Sequence, residues 1–468
     1  MEFKLLIDGA LVKGATEQGV INPATARVFT TAPRADEAQL NAAVAAAKRA
    51  FPAWAARPVD ERRTKLLAFA DAIEARLEEF VGVLTAEQGK PIPDAQFELA
   101  AAVGILRFTA GMDTPTRVLI ENDTTRLIQH RTPLGVVAAI TPWNFPVMLL
   151  MVKLAPALIT GNTVVAKPAP TTPLTGLLLG EVAADILPAG VLNVIVGDNE
   201  LGALLAGHPD VSKIAFTGST ATGRKVMESA ASSIKRMTLE LGGNDVAIVL
   251  DDADVKQIAP KIFASAMMNA GQVCVATKRV YAPRALYGEL CNELAKLADA
   301  AVVDDGAKQG TQVGPIQNRQ QYEKLKGYLS EANARGTVIA GGAPLDREGY
   351  FIPPTIVRDM PDDSRLVREE QFGPVLPVLH YADVADVIRR ANDTEYGLGG
   401  SIWTSDPERG VEVAMQIDTG AVWINKHLDL HFEVSTSAAK QSGLGSELGQ
   451  DGLEAYTQAK LIDVALRS

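Results

Sequence analysis

Apolar and polar positions change texture along this chain. From Asp36 to Ala56 it is Ala-rich, and from Asp60 the run DERRTKLLAFADAIEARLEEFVGVLTAEQ places apolar residues at helical spacing until Gly89 offers a stop. The first hundred residues therefore predict a packed helical layer. From Gly135 short β-rich runs alternate with helical segments: GVVAAI, a helix after Pro146, TVVAKP, a helix from Pro173, VLNVIV, then KIAFTGS and a helix from Thr222. Continuous apolar strands separated by helices predict a parallel sheet covered on both faces, with ligands collecting at the strand ends. A second alternation starts near Asp245 with DVAIVL, a helix from Val255 to Asn269, KRVYA, two long helices, PVLPVL, SIWT and TGAVWIN, enough for another α/β sheet. Between the helical layer and the first sheet, Arg117 to Thr132 alternates apolar and polar residues around a polar turn at Glu121 to Thr124, which predicts a hairpin outside either sheet. An exposed arm of this kind aggregates unless paired, so it is a candidate oligomerisation element.

Composition narrows the classes. The 468 residues carry 45 basic and 56 acidic side chains, a net charge of −11, which disfavours nucleic acid and anionic membrane surfaces as partners. At 47% apolar a large core is available, and the length suits two or three domains. The apolar stretch Gly135 to Ala166 contains Asn144, Lys153 and Asn162 and reads as buried strands and helices rather than a membrane span. The only cysteines, Cys274 and Cys291, read as free thiols in a reducing compartment, and MEFKLLIDGALVKG lacks a signal core, so a cytoplasmic location is expected.

Four constellations could carry chemistry. In NAGQVCVATKR, Cys274 follows a Gly-Gln turn; a buried structural cysteine is the ordinary alternative, but a turn that exposes sulfur to backbone N–H groups suits a nucleophile. Cys291, on the apolar face of YGELCNELAKLA, reads as packing. In TLELGGN, Glu240 ends an apolar strand before Gly242 and Gly243; such an acid is commonly a solvated cap, whereas one pushed into an apolar cleft becomes a general base. FTGSTATG is a strand, a turn through Gly218 and Ser219, and a helix, which fits pyrophosphate at a helix N-terminus although glycine is common in such turns. ITPWNFP and VVAKPAP put Asn144 and Lys167 at strand ends, as an uncharged donor and a partner for ribose or phosphate oxygen. His427 and His431, with Asp429 and Glu433 nearby, lack zincin spacing and an evident third ligand, and no metal site is assigned.

PWNFP, KPA, FTGST, LELGGN, GQVC, EQFGPV and KQSGLGSELG, in that order over nearly the whole chain, resemble the aldehyde dehydrogenase superfamily. The resemblance implies an α/β fold with a Rossmann-like cofactor domain (1–115 and 135–240), a second α/β catalytic domain (241–430), and a small β oligomerisation arm with the C-terminal tail (116–134 and 431–468), assembled as a homodimer or homotetramer. It implies Cys274 as nucleophile, Glu240 as general base and Asn144 as the oxyanion-hole side chain, with Lys153 and Glu447 handing protons outward. Trp143, Lys167, Pro170, Gly218, Ser219, Gly242, Glu370 and Phe372 match cofactor positions. Phe145, Leu149, Val152, Val273, Val275, Leu428, Leu430 and Thr436 match the substrate pocket.

The chain departs from the family pattern in three places. Pro170 stands where NAD-preferring relatives carry Glu, so the cofactor is NAD or NADP, with NAD favoured. Ser435, Thr436, Ser437 and Ala438 replace Pro-Phe-Gly-Gly, which predicts a wider and more polar pocket on that side. Leu149 and Val152 stand where many relatives have larger side chains, which leaves no aromatic cage for a quaternary ammonium. No arginine occurs in VMLLMVK or beside Cys274, so an uncharged aliphatic, aromatic or hydroxylated aldehyde is expected. A semialdehyde of the succinate type is the alternative, followed by a coenzyme A-acylating enzyme, against which Glu240 argues, and a non-catalytic cofactor-binding protein.

Overall fold

The computed structural model describes residues 2–231 and 233–466. Eight strands form the first sheet, in the order Ala10–Val12, Leu5–Ile7, Leu192–Val194, Thr163–Lys167, Val136–Ile140, Lys213–Thr217, Arg236–Glu240 and Gly443–Leu444. The five from Leu192–Val194 to Arg236–Glu240 run parallel, and the neighbours at both ends are antiparallel. Val136–Ile140, Thr163–Lys167 and Lys213–Thr217 are buried along their whole length, which is why they lack polar alternation. Parallel pairing brings their carboxyl ends to one edge, with Ile140 opposite Lys167 and Thr217 opposite Glu240.

The second sheet has seven strands, ordered Thr337–Ala340, Thr355–Arg358, Val375–Tyr381, Thr277–Pro283, Asp245–Val249, Gly399–Trp403 and Ala421–Ile424, parallel except at the first edge. Hairpin strands Arg117–Glu121 and Thr125–Pro133 form a third, three-stranded sheet with Thr457–Ala465. The tail also reaches the first sheet: Gly443–Leu444 pairs with its edge, and Leu453 and Tyr456 join its core.

The helical reading of the first hundred residues needs correcting before Asp36. Leu5–Ile7 and Ala10–Val12 pair across Asp8 and Gly9, both at positive φ, and Thr16–Asn22 pairs with Arg27–Arg34 in a separate ribbon. Two boundaries also move: one helix begins at Thr220 rather than Thr222, and the helix from Val255 ends at Met267.

Candidate active site

Cys274 lies in the turn between the helix Val255–Met267 and the strand Thr277–Pro283. Asn269, Ala270 and Gly271 have φ of 49°, 55° and 70°, so the chain turns through three successive left-handed residues. A Cβ at position 271 would lie 2.4 Å from the Gly373 carbonyl oxygen, so only glycine fits there. Gln272 ties the turn down: its Nε2 donates to Asn269 O at 2.9 Å, and its Oε1 accepts from Gln317 N at 2.9 Å.

Asn144 is 2% exposed, and its Nδ2 donates to Gln272 O at 3.0 Å, which places the amide beside the cysteine turn with one N–H left over. Its carbonyl accepts from Lys90 Nζ at 2.9 Å and Asn269 Nδ2 at 3.0 Å. Lys90 is paired in turn with Glu98, both fully buried, and Glu98 Oε1 accepts from Val147 N and Met148 N in the first turn of the helix Pro146–Ile159. A remote carboxylate thus caps the helix that follows Asn144.

Glu240 closes its strand facing the same space. Burial foremost, then repulsion from Glu447, pushes its carboxyl up to about 8, while a hydrogen bond with Cys274 and the Lys153 charge oppose this. Oε2 has no hydrogen-bond partner among the described residues. The Cys274 thiol is raised well above its usual value, first by burial and next by Glu240, with Lys278 opposing. Lys153, fully buried, donates to Thr217 Oγ1 and Glu447 Oε1, both at 2.7 Å. The Glu240 carboxyl is thus acted on by both members of the Lys153–Glu447 pair.

Residues matching cofactor positions gather on the neighbouring edge. Trp143 and Phe372 meet edge to face, with centroids 5.3 Å apart. Glu370 Oε1 accepts from Gly243 N at 3.0 Å, and a Cβ at position 242 would reach within 2.6 Å of Glu370 Oε2, so Gly242 leaves the space this carboxylate occupies. Ser219 Oγ accepts from Thr222 N at the start of the helix Thr220–Ala231, and Gly218 immediately precedes it. Lys167 is 3% exposed with no hydrogen-bond partner among the described residues; burial lowers its ammonium to about 8, opposed by Asp198. A buried cation without a partner, at a strand end beside a helix N-terminus, fits an anionic dinucleotide. Pro170 lies farther out, its carbonyl accepting from Gln18 Nε2, and borders a cavity of about 180 Å³.

On the other side of Cys274, Phe145, Leu149, Val273 and Ala276 form an apolar cluster extended by Met148, Met268, Val275 and Leu428. Met268 and Leu428 also line a cavity of about 730 Å³ with Phe263, Met267 and Leu297. Three pocket residues stand outside this cluster. Val152 packs in the core of the first sheet, Leu430 is exposed, and Thr436 pairs with Glu447, its hydroxyl donating to the Glu447 carbonyl at 3.2 Å. The serines replacing the family motif make polar contacts instead: Ser437 Oγ meets Ser446 Oγ at 2.7 Å, and Ser435 Oγ accepts from Asp451 N at 3.0 Å.

The family model for the aldehyde dehydrogenase family matches residues 12–462. The chain belongs to the aldehyde dehydrogenase family. It is 38% identical to the mitochondrial aldehyde dehydrogenase of Leishmania tarentolae, over 100% of this chain and 96% of the relative, and 38% identical to phenylacetaldehyde dehydrogenase of Pseudomonas fluorescens, over 99% and 96%. Its structure is similar to the NAD+ complex of aldehyde dehydrogenase from Bacillus cereus, with a TM-score of 0.97 at 36% identity, covering 100% of this chain and 97% of that one. This aldehyde dehydrogenase is thus an aldehyde-oxidising oxidoreductase of mixed α/β fold.

Sequence reasoning missed several residues around the thiol of this dehydrogenase. Lys278 is buried and donates to carbonyls of the cysteine turn. His427, weighed above only as a metal ligand, is buried with Nε2 donating to Val275 O at 2.7 Å, and burial lowers it to about 4, so it is neutral; His431 is exposed. The only sequence signal for Lys278 was its closeness to Cys274.

Proposed function

We propose that this aldehyde dehydrogenase oxidises an uncharged aldehyde to its carboxylic acid through Cys274. The observation that carries the reading is the half-buried space shared by Cys274 and Glu240, with the Asn144 amide bonded to the cysteine turn alongside. Cys274 gives its proton to the Glu240 carboxylate, which releases it before the second half-reaction, and the sulfur bonds to the aldehyde carbon; the carbonyl oxygen becomes an oxyanion held by Asn144 Nδ2 and the Cys274 backbone N–H, which has no acceptor among the described residues. When bound, the nicotinamide cofactor supplies the hydride acceptor that leaves a thioester on Cys274. Glu240 then takes a proton from water, whose oxygen attacks the thioester carbon, and the C–S bond breaks to release the acid and the cysteine. The Lys153–Glu447 pair, bonded at 2.7 Å, then passes that proton outward.

NAD is the favoured cofactor. Pro170 carries no carboxylate, and Asp198, within electrostatic reach of Lys167, is itself paired with Arg34, so the preference rests on the similar NAD+ complex of the Bacillus cereus enzyme. For the substrate, the apolar lining from Val273 and Val275 through Met268 and Leu428 into the 730 Å³ cavity supports an aliphatic or aromatic aldehyde, a class that the phenylacetaldehyde-oxidising relative also suggests. Lys261 and Lys426, on the same cavity, favour the second reading, a semialdehyde, although Lys426 is already paired with Asp429. The arm exposes Val118, Leu119, Ile120, Leu461 and Ile462, which supports a homodimer or homotetramer. NAD(P)H formation by the purified protein tests the reading, with phenylacetaldehyde, hexanal and succinate semialdehyde as substrates and NAD and NADP as cofactors. Turnover that survives Cys274→Ala overturns the mechanism, and faster turnover of succinate semialdehyde overturns the substrate class.

A further inference from the structure

We propose that Lys278 is a positioning residue that holds the cysteine turn and supplies the positive field under which Cys274 becomes a thiolate. The inference rests on reading Cys274 as the nucleophile. Lys278 is 1% exposed, and its Nζ donates to Val273 O, to Cys274 O at 3.0 Å and to Ala276 O at 3.5 Å. An ammonium has three N–H donors and no acceptor, so three carbonyls facing it satisfy the charged form. The backbone brings it there by a bulge. Asp245 pairs with Thr277 but Val246 pairs with Arg279, so Lys278 is skipped in the ladder and its side chain turns toward the cysteine. Bulges beside active sites commonly re-aim a side chain in this way.

The charges around the thiol give this cation its importance. Glu240 and Glu370 both raise the Cys274 thiol, and Lys278 is the cation opposing them. Its field also reaches Glu370 and the buried Asp245, lowering both against their burial. Lys324 faces Glu370 from a neighbouring helix, Arg279 acts on Asp245, and the neutral His427 holds the next carbonyl of the turn, that of Val275. Lys278 therefore offsets the carboxylates in a space where a thiolate would otherwise be strongly disfavoured.

The test reads thiolate formation without turnover. In a Cys291→Ser background, so that Cys274 is the only thiol, its alkylation by iodoacetamide is followed against pH; the sulfur displaces iodide, and the rate tracks the thiolate fraction. Lys278→Gln keeps N–H donors for the carbonyls and removes the charge, and Lys278→Met removes both. The midpoint is expected to rise by about one to three pH units in both variants, so that alkylation at neutral pH falls at least about tenfold. An unchanged profile in Lys278→Gln, with Lys278→Met alone perturbed, would show that the hydrogen bonds suffice and overturn the proposal. Failure of both variants to fold would show a structural strut and overturn it as well. Turnover persisting after alkylation of Cys274 would instead sink the nucleophile reading.

Discussion

Replacing Glu240 by Gln separates the chemistry of this carboxyl from its energetic cost. Burial pushes the carboxyl up to about 8 in the folded protein against an ordinary 4.5, so between these values the fold retains a proton that the unfolded chain gives up. Stability contributed by the protonated carboxyl is therefore present in full at low pH and is lost as pH rises through that window. The loss relative to a neutral side chain is on the order of 1 kcal/mol near pH 5.5 and on the order of 5 kcal/mol near pH 8.5. Glutamine cannot ionise, so its stability relative to the parent should improve by about 3–4 kcal/mol between those two conditions, read as paired denaturant unfolding curves at fixed protein concentration. The same variant loses the base that activates water, a contribution of roughly 10²–10⁴ in rate, so it should release a rapid burst of one NAD(P)H per Cys274 and then stall. A Glu240→Gln protein whose relative stability does not move with pH, or which turns over without a burst, would refute the buried-base reasoning.

Other predictions follow from the same contacts. Asn144→Ala should lower kcat by about 10²–10³ while far-ultraviolet circular dichroism stays unchanged, since the Asn144 carbonyl keeps its bonds to Lys90 and Asn269. Lys90→Met strands the buried Glu98 carboxylate and should cost about 3–5 kcal/mol in urea unfolding. Leu461→Asp with Ile462→Asp, one on each face of the exposed strand Thr457–Ala465, should reduce the assembly to smaller species by light scattering.

What the sequence disclosed depended on how local each signal was. The parallel strands were visible because both faces are buried, so GVVAAI and TVVAK are apolar without alternation. Leu5–Ile7 and Ala10–Val12 were passed over because strands this short carry little periodicity, although Asp8-Gly9 between two apolar runs was a hairpin signal. Cys274, Glu240 and Asn144 could be named from motifs, but their convergence depends on pairing between distant strands and on three left-handed residues that no periodicity reports. Lys278 and His427 were hidden for another reason. A lysine in a polar run and a histidine in a charged loop look solvated, and only the bulge and the tertiary packing bury them. Thr436 aligned with a pocket position, yet the chain there pairs with Ser446–Glu447, so alignment alone did not locate the side chain.

The most direct test of the central claim is to trap the intermediate. Glu240→Gln protein is mixed with saturating NAD and an aldehyde, quenched in acid, digested, and its peptides weighed by mass spectrometry. The account predicts the acyl mass of the substrate on the peptide bearing Cys274, stoichiometric with the NADH released, and no adduct on the peptide bearing Cys291. NADH formed with no acyl group on Cys274, or an adduct located elsewhere, would contradict it.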